Sequence, residues 1–372
     1  MKQKETNFSL KDKLFNKDKV QHLAELIFSI HPDFNKIDFV NDVIIKFPDL
    51  ELMGRVHHIV EIYHKYLPEN YPDSLEILLK SLPPELDPNN QDNDFWDFIY
   101  APYSHFVSKY WCEKKYLDIS LRALKEMTKR FSCEFAIRKF INEFEDETCD
   151  ALITWSTDNN YHVRRLSSEW CRANLPWWTK IWLDYKKAIP IVDNLYSDNT
   201  RYVTRSVANH LNDISKKDPQ LVTDTLKRWK KAGAKDIDYI ISHSTRSLVK
   251  SWDPATLELL WFSPDPNIVF ENFSIHNTQL QVPTDLDFSF DIICDTKQNL
   301  IIDYKLYFRN KSWKLVPKVF KIKKWEFQWT THISKKHPLK LMTTKALYPW
   351  KHFVEVMINW KSCWKKSFEL KI

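Results

Sequence analysis

The chain has 372 residues, of which 43% are hydrophobic, 28% charged and 15% aromatic, and its formal net charge is +6. This length and composition predict two or three folded domains and exclude wholesale disorder. No window approaches the roughly 18 consecutive apolar residues of a membrane helix, and the N-terminal segment is charged, so we expect neither a membrane span nor a signal peptide. The six cysteines are scattered without a CxxC pair, which argues against a zinc site and a disulfide framework and for a reducing cytoplasm.

The chain carries helical patterns up to about residue 265. Segments 20–30, 74–82 and 117–131 have apolar residues at three- and four-residue spacing, which is typical of amphipathic helices. Proline-rich breaks separate such segments, for example at 82–94. The pattern predicts a predominantly helical region.

An internal repeat lies within this region. The run DNNYHVRRLSSEW begins at Asp158, and DNTRYVTRSVANH begins at Asp198, 40 residues later. Arg165 and Arg205 superpose under this shift, and a weaker third copy places Arg246 41 residues after Arg205. A period of about 40–47 residues with two helices per unit is typical of HEAT-type solenoids. The recurring arginines would form a line suited to a phosphate backbone, or they would pair with the aspartates of the inter-helix turns.

From about residue 270 the pattern changes to strands. Period-two alternation with β-branched and aromatic residues occupies segments 286–294, 300–309, 318–327 and 352–359. Several short strands in about 100 residues predict a small β-sandwich of immunoglobulin type, here without the Cys–Trp–Cys signature of antibody domains. We therefore predict a multidomain chain, α then β, with a HEAT-like α-solenoid at 1–268 and an immunoglobulin-like β-sandwich at 269–372.

The predicted sandwich is the basic part of the chain. Residues 301–372 contain 17 Lys and Arg against 4 Asp and Glu. A basic domain on a near-neutral body suggests a polyanionic partner, although a lysine-rich solvated surface explains the charge equally well.

Several motifs resemble the AlkC branch of bacterial DNA alkylation repair glycosylases. The helical motifs are FWDFIYAP (95–102), KRFSCEFAIRKF (129–140), HVRRLSSEWCRANLPW (162–177), YVTRSVANHLNDISKKDP (202–219) and TRSLVK (245–250). KVFKIKKWEF (318–327), HPLKLMTT (337–344) and YPWKHFVEVMINWK (348–361) resemble the immunoglobulin-like domain of this branch. The resemblance covers nearly the whole chain, in the expected order.

The resemblance implies an enzyme of base excision repair. Relatives remove cationic N-alkylated bases, such as 3-methyladenine and 3-methylcytosine, from double-stranded DNA by hydrolysing the N-glycosidic bond, without extruding the base. We accordingly expect a cytoplasmic, monomeric bacterial hydrolase that needs no cofactor or metal. The alternative from another class is a non-catalytic HEAT-repeat scaffold that binds nucleic acid or protein.

The chemistry defines which residues are needed. A cationic base is already a good leaving group, so the enzyme needs anionic or π-rich groups beside a deoxyribose with oxocarbenium character, and a positioned water. By resemblance, Glu134, Glu169 and Asp213 match the family's acidic positions and Trp177 matches its aromatic position. The bland alternatives are an Arg165–Glu169 salt bridge at i,i+4 spacing, a helix-end role for Asp213 and core packing for Trp177.

Basic residues complete the expected site. Arg165, Arg172, Arg205 and, more weakly, Arg246 are the candidates for contacts with DNA phosphates. The reaction demands no base with a pKa near neutrality, so we expect the histidines of this region to serve the fold. They are His162, His210 and His243.

The chain has 2 Gly and 16 Trp, whereas average usage predicts roughly 26 Gly. Some tryptophans stand where a turn wants glycine: Asn359-Trp360 follows an alternating run at a type I′ position, and Trp350 follows a proline. Trp170 ends a helical segment at an expected left-handed position. We hypothesise that UGA encodes glycine in the source organism and that the affected positions are Trp96, Trp111, Trp170, Trp252, Trp261, Trp350 and Trp360. The alternative is genuine enrichment in Trp for base stacking.

Overall fold

The structure is a computed structural model that describes residues 9–87, 98–172, 175, 180–181, 183–251, 254–260, 262–263, 265–309, 312–340 and 347–371. The predicted order, helices followed by strands, is confirmed. By its internal contacts the chain divides into two compact units, Met1–Arg246 and Ser247–Ile372. The first strand begins at Val269, and the predicted domain boundary between residues 268 and 269 stays a prediction.

The helices are α1 Leu10–Leu14, α2 Lys17–Ile30, α3 Lys36–Ile44, α4 Leu52–Tyr66, α5 Tyr71–Lys80, α6 Ala101–Tyr110, α7 Leu117–Met127, α8 Ala136–Glu143, α9 Glu145–Trp155, α10 Tyr161–Trp170, α11 Ile189–Leu195, α12 Arg201–Ile214, α13 Pro219–Ala232, α14 Ile237–Ser244, α15 Arg246–Ser251 and α16 Pro254–Leu259. Local sequence explains their ends, and α13 is an example. The side chain of Asp218 accepts from the backbone N–H of Leu221 at 2.9 Å, Pro219 occupies the first turn, and Gly233 ends the helix at φ 79°.

The repeat seen in the sequence has a structural counterpart. Helices α10 and α12 begin 40 residues apart, and each follows the same turn. The side chains of Asp158 and Asp198 accept from the backbone N–H of Asn160 and Thr200 respectively, both at 2.8 Å. Helices α10, α12 and α14 pack in succession, with Val163, Leu166, Val203, Val207 and Leu211 buried between layers. Burial of these apolar stripes stacks the repeats.

The strands of the second unit are β1 Val269–Ile275, β2 Gln279–Gln281, β3 Thr284–Arg309, β4 Leu315–Leu339, β5 Trp350–Ile358 and β6 Lys361–Lys371. Their order is β1-β3-β5-β6-β2, and β4 also pairs with β3. The predicted segments 286–294 and 300–309 are joined in the single strand β3, with a register shift between Cys294 and Gln298. The first half of β3 pairs with β1 and the second half with β5. Such an irregularity lets one long strand bend and pair with different neighbours along its length.

The core of the strand unit is largely apolar, although polar side chains such as Glu355 and Asn359 are also buried in this unit. Its fully buried members include Leu286, Phe288, Ile302, Leu306 and Val354. Leu257 and Phe262 pack with Ile301, which explains why α16 groups with the strands rather than with the preceding helices.

Positive φ angles test the glycine hypothesis. Among the described residues, non-glycine residues with positive φ are Asn272, Trp313, Trp329, Asn359 and Trp360, at 53°, 60°, 68°, 40° and 60°. Asn359-Trp360 connects β5 to β6 with both residues left-handed, so the predicted type I′ geometry is confirmed.

The expectation for Trp170 is wrong. This residue belongs to the last turn of α10, and the following Cys171 has φ −79°. The helix therefore ends without a left-handed residue. Trp111 has φ −128° and Trp350 begins β5, so neither takes a conformation that demands glycine. Trp96, Trp252 and Trp261 lie outside the described residues.

Candidate active site

Three carboxylates predicted for the site lie at the ends of related elements. Glu134 precedes α8, Glu169 is in the last turn of α10, and Asp213 is in the last turn of α12. Because α10 and α12 pack side by side, the last two carboxylates approach each other. Trp177 lies outside the described residues.

Glu169 is 7% exposed and is held from several directions. Its Oε1 accepts from Arg172 Nη1 at 2.5 Å, and its Oε2 accepts from the hydroxyl of Ser206 at 2.6 Å. The predicted i,i+4 pair with Arg165 is present but longer, at 3.8 Å. Burial alone would raise the pKa of Glu169, but the positive charges of Arg165 and Arg172 outweigh it and hold that pKa below its ordinary value.

Asp213 is 4% exposed and shares its main partner with Glu169. Its Oδ2 accepts from Arg172 Nε at 2.9 Å, and its Oδ1 lies 3.0 Å from Lys216 Nζ. The guanidinium of Arg172 therefore bridges two buried carboxylates. Charge-assisted bonds of this kind offset the cost of burying the charges.

Glu134 joins the same network through Arg165. Its Oε2 lies 3.1 Å from Arg165 Nη1, and the hydroxyl of Ser132 donates to it at 3.2 Å. The result is an alternating series of acids and bases, which we call the acidic cluster: Glu134, Arg165, Glu169, Arg172, Asp213 and Lys216. A cleft beside it combines charge with aromatic walls and is lined in part by Glu134, His162, Arg165, Phe131, Phe135 and Tyr202.

The four predicted DNA-contact arginines do not have equivalent surroundings. Arg165 and Arg172 belong to the acidic cluster, whereas Arg205 is exposed and lies 5.5 Å from the ring centre of Tyr202. Arg246 donates to Asn209 Oδ1 at 3.1 Å and to the carbonyl of His243 at 2.5 Å. The structure thus brings Arg165 and Arg172 to the carboxylates and leaves the other two on separate contacts.

The turn aspartates were the alternative partners for the recurring arginines. The arginine that contacts Asp198 is Arg164, with Nε and Nη2 at 2.5 and 3.2 Å from its two oxygens. Arg165, one residue later, faces Glu134 and the ring of Tyr202 instead. Of these two adjacent residues of α10, Arg164 therefore contacts the turn of the scaffold and Arg165 contacts the candidate site.

Some residues of the site were not identified from the sequence. Ser206 lies seven residues before Asp213, so a helical wheel would have placed both on one face of α12. Arg201 lies over the ring of Tyr239 at 2.9 Å, and Tyr239 stacks on His243. The available signal was the pair Arg201 and Arg205, which are four residues apart and therefore share a helix face.

The histidines of this region are uncharged at neutral pH. Burial lowers the pKa of His162 and of His210 to about 4, and it lowers the pKa of His243. His210 also has a backbone hydrogen bond to Ser168, which ties α12 to α10. The buried, neutral imidazoles of His162 and His210 suit the expected role in the fold.

Across the described ranges, no group of three or more His, Cys, Asp and Glu side chains could hold a metal ion. Within the same ranges, no helix is both long and apolar enough to cross a bilayer.

Each of the two units has its own match among known protein families. Residues 104–238 match the family of DNA alkylation repair enzymes, and residues 269–372 match the C-terminal Ig-like domain of protein YhaZ. A relative described as uncharacterized protein YhaZ, from Bacillus subtilis strain 168, is 29% identical over 352 residues, covering 93% of this chain and 95% of the relative.

A solved structure covers both parts. The alkylpurine DNA glycosylase AlkC of Pseudomonas fluorescens, bound to DNA containing an abasic site analog, matches with TM-score 0.81 and 28% identity, over 98% of this chain and 100% of that chain. The immunoglobulin-like character of the strand unit is thereby confirmed. Residues 104–238 are thus similar to DNA alkylation repair enzymes and residues 269–372 to the Ig-like domain of YhaZ, and the resemblance of the chain to the AlkC branch is confirmed.

Proposed function

We propose that the protein is a DNA glycosylase that excises cationic N-alkylated bases of the 3-methyladenine and 3-methylcytosine type from double-stranded DNA. The observation that carries this proposal is the pair of buried carboxylates, Glu169 and Asp213, joined by Arg172 inside the DNA alkylation repair domain. The similarity to a DNA-bound alkylpurine glycosylase supports DNA as the partner. The protein would act as a cytoplasmic monomer without a cofactor.

In the proposed reaction the N-glycosidic bond breaks and its electron pair neutralises the cationic base. The deoxyribose develops positive charge at C1′, and a carboxylate fixed beside it lowers the energy of that state. Water forms the new bond to C1′ and loses its proton to a carboxylate and then to solvent, which leaves an abasic site. Glu169 suits the role of fixed anion because its lowered pKa keeps it ionised across the neutral range.

Arg172 has two roles in this proposal. Its guanidinium holds Glu169 and Asp213 in a fixed relation, which is the preorganisation that electrostatic catalysis requires. As a contact for a DNA phosphate it would exchange a carboxylate for a phosphate oxygen, since both accept the same forked donor geometry.

One observation favours the alternative of a non-catalytic scaffold. Each carboxylate of the acidic cluster has a cationic partner, as expected of a purely structural network. The two functions differ in what happens to alkylated DNA: a scaffold binds it unchanged, whereas a glycosylase releases the base.

The test is release of 3-methyladenine or 3-methylcytosine from alkylated duplex DNA by the protein and its variants. Glu169→Gln and Asp213→Asn should each reduce release about 100-fold or more. Asp198→Asn is the matched control, because Asp198 is also buried against an arginine but lies in a turn that Asn can reproduce. Undiminished release by both site variants would remove the assigned roles, and no release by the unaltered protein would favour the scaffold.

A further inference from the structure

Ser206 is a buried hydroxyl with an unusual partner. It lies on α12, is 3% exposed, and donates to Glu169 Oε2 on α10 at 2.6 Å. The other oxygen of Glu169 is taken by Arg172. Donors on two sides thus fix the plane of this carboxylate.

Neighbouring buried serines behave differently. Ser167 donates to the carbonyl of Val163 at 3.1 Å, and Ser215 donates to the carbonyl of Asn212 at 2.9 Å. Such bonds to the same helix are the ordinary outcome for Ser inside or at the end of a helix. Ser206 instead reaches across to a carboxylate 37 residues away in sequence.

We propose that Ser206 is a positioning residue that orients Glu169 for the glycosylase reaction, an inference that rests on the proposed function. A hydroxyl bonded to a carboxylate favours its charged form and one orientation of it. The charged and titratable groups around Glu169 are Arg165 and Arg172 from its own segment, Arg138 from α8, and His210 and Asp213 from α12.

The experiment measures kcat, KM and the pH profile of base release by the full-length protein. Ser206→Ala should lower kcat about 10- to 100-fold with little change in KM. The acid limb of the profile should move to higher pH, because the lost hydrogen bond helped to lower the pKa of Glu169. Ser206→Thr, which keeps the hydroxyl, should recover most of kcat.

Ser167→Ala is the control, because this serine is equally buried and lies on the helix that carries Glu169. It should leave kcat and the pH profile unchanged. If the unaltered protein is active and Ser206→Ala has the same kcat and the same acid limb, the positioning role is overturned. Absence of base release by the unaltered protein would instead contradict the proposed function.

A second observation stands apart from the site and concerns the strand unit. Trp313 and Trp329 have positive φ and are 56% and 68% exposed, so little burial compensates their conformational strain. Trp329 lies opposite Cys294 at the register shift of β3 and β4, a place where a bulge often requires left-handed glycine. Trp360 shares the left-handed turn with Asn359.

One of the two glycines of the chain, Gly233, shows the contrast. Gly233 occupies a left-handed position at the end of α13, as glycine does in most proteins. Three tryptophans occupy such positions in the same chain. A bulky residue at positive φ is sterically strained, whereas glycine adopts this conformation without a steric penalty.

From these positions we infer that residues 313, 329 and 360 are glycine in the protein made by its source cell, through decoding of UGA codons as glycine. This extends the sequence hypothesis to Trp313 and Trp329, which only the backbone identifies. Tryptophans whose rings are packed and whose indole N–H is hydrogen-bonded would remain tryptophan. An example is Trp229, which stacks on Tyr196 and donates to Asp193 Oδ1 at 2.8 Å.

The test reads the three codons and the masses of the corresponding peptides from the native protein. UGA codons and glycine masses at 313, 329 and 360, with UGG at 229, would support the inference. UGG codons or tryptophan masses at the three positions would overturn it.

Thermal stability provides a second, independent test of this inference, made on the full-length protein with the printed sequence. Trp329→Gly should raise Tm by roughly 2–8 °C, and Trp329→Ala should raise it less, because Ala still carries a Cβ at positive φ. Trp229→Gly is the matched control and should lower Tm, since it empties a packed site. An unchanged or lower Tm in Trp329→Gly would contradict the inferred strain.

Discussion

The two units of the chain place their polar groups in different ways. The helical unit buries charged side chains, among them Glu169 and Asp213, and surrounds them with cations. The strand unit has a largely apolar core, and the single buried carboxylate among its described residues, that of Glu355, accepts from the Tyr307 hydroxyl. Many lysines of this unit lie at the surface over aromatic rings, such as Lys365 above Tyr307 at 3.8 Å. Burying charge is costly and an exposed lysine is not, so the helical unit carries the larger cost in stability from its buried charges.

The units also differ in what their tryptophans tolerate. In the helical unit Trp111 stacks on Tyr71, and Trp170 lies edge-on to Trp155, all in ordinary backbone conformations. In the strand unit Trp313 and Trp329 are left-handed and exposed. Composition alone treats all sixteen tryptophans alike, whereas the backbone separates those that fit from those that are strained.

The largest expected effect is on the buried charges of the helical unit. Arg172→Met would leave Glu169 and Asp213 buried without their shared cation, and should lower the free energy of unfolding by about 3–5 kcal/mol. Arg228→Met removes an exposed partner of Asp193 and should cost less than about 1 kcal/mol. Urea unfolding at pH 7 measures both. Equal costs would show that burial of the cluster is not what makes Arg172 important.

The next effect is a dependence of stability on pH that arises in the helical unit. Burial lowers the pKa of His210 from 6.5 to about 4. Its neutral form therefore stabilises the fold fully above about pH 6.5, and this stability is lost as the pH falls toward 4. His210→Gln should flatten the unfolding free energy between pH 7 and pH 5. An equally steep profile in the variant would assign the dependence to other groups.

Glu169 contributes in the same direction as His210, but at lower pH. Its pKa is lowered in the fold, so its stabilisation is present above the ordinary carboxyl pKa and is lost as the pH falls below about 4.3. Glu169→Gln should remove this part of the acid destabilisation. Unfolding titrations below pH 5 separate it from the histidine contribution.

The smallest effects concern the two glycines and sharpen the tryptophan comparison. Gly233→Ala should lower the free energy of unfolding by about 1 kcal/mol, because φ is +79° although there is space for a Cβ. Gly54→Ala, inside α4, should raise it by about 0.5–1 kcal/mol, since the nearest atom to the new Cβ is a leucine methyl at 3.4 Å. A loss of stability in both variants would contradict the argument from φ.

Local patterns predicted the fold well. The helices followed three- and four-residue spacing, and the repeated aspartates predicted the matching turns before α10 and α12. The hairpin at Asn359-Trp360 followed from turn chemistry acting on adjacent residues. The left-handed conformation expected at Trp170 was not predicted correctly, because the way a helix ends depends on the packing beyond it.

The site could be predicted only in part. Resemblance placed Glu169 and Asp213, and spacing within one helix gave the Arg165–Glu169 pair. The bridging by Arg172 and the bond from Ser206 join residues about 40 positions apart, and no local pattern fixes the distance between two packed helices. The strain at Trp329 was equally hidden, because it depends on the register of a distant strand.

The most direct test of the account is the fate of a duplex that carries a single 3-methyladenine or 3-methylcytosine when it is incubated with the full-length protein. Free base and abasic sites are each quantified in the same sample. The protein with glycine at 313, 329 and 360 is measured beside the protein with the printed sequence. The account predicts that free base and abasic sites appear in equal amounts, without added cofactor, and that Glu169→Gln and Asp213→Asn suppress both. Binding of the duplex with neither product, in both forms of the protein, would contradict the account.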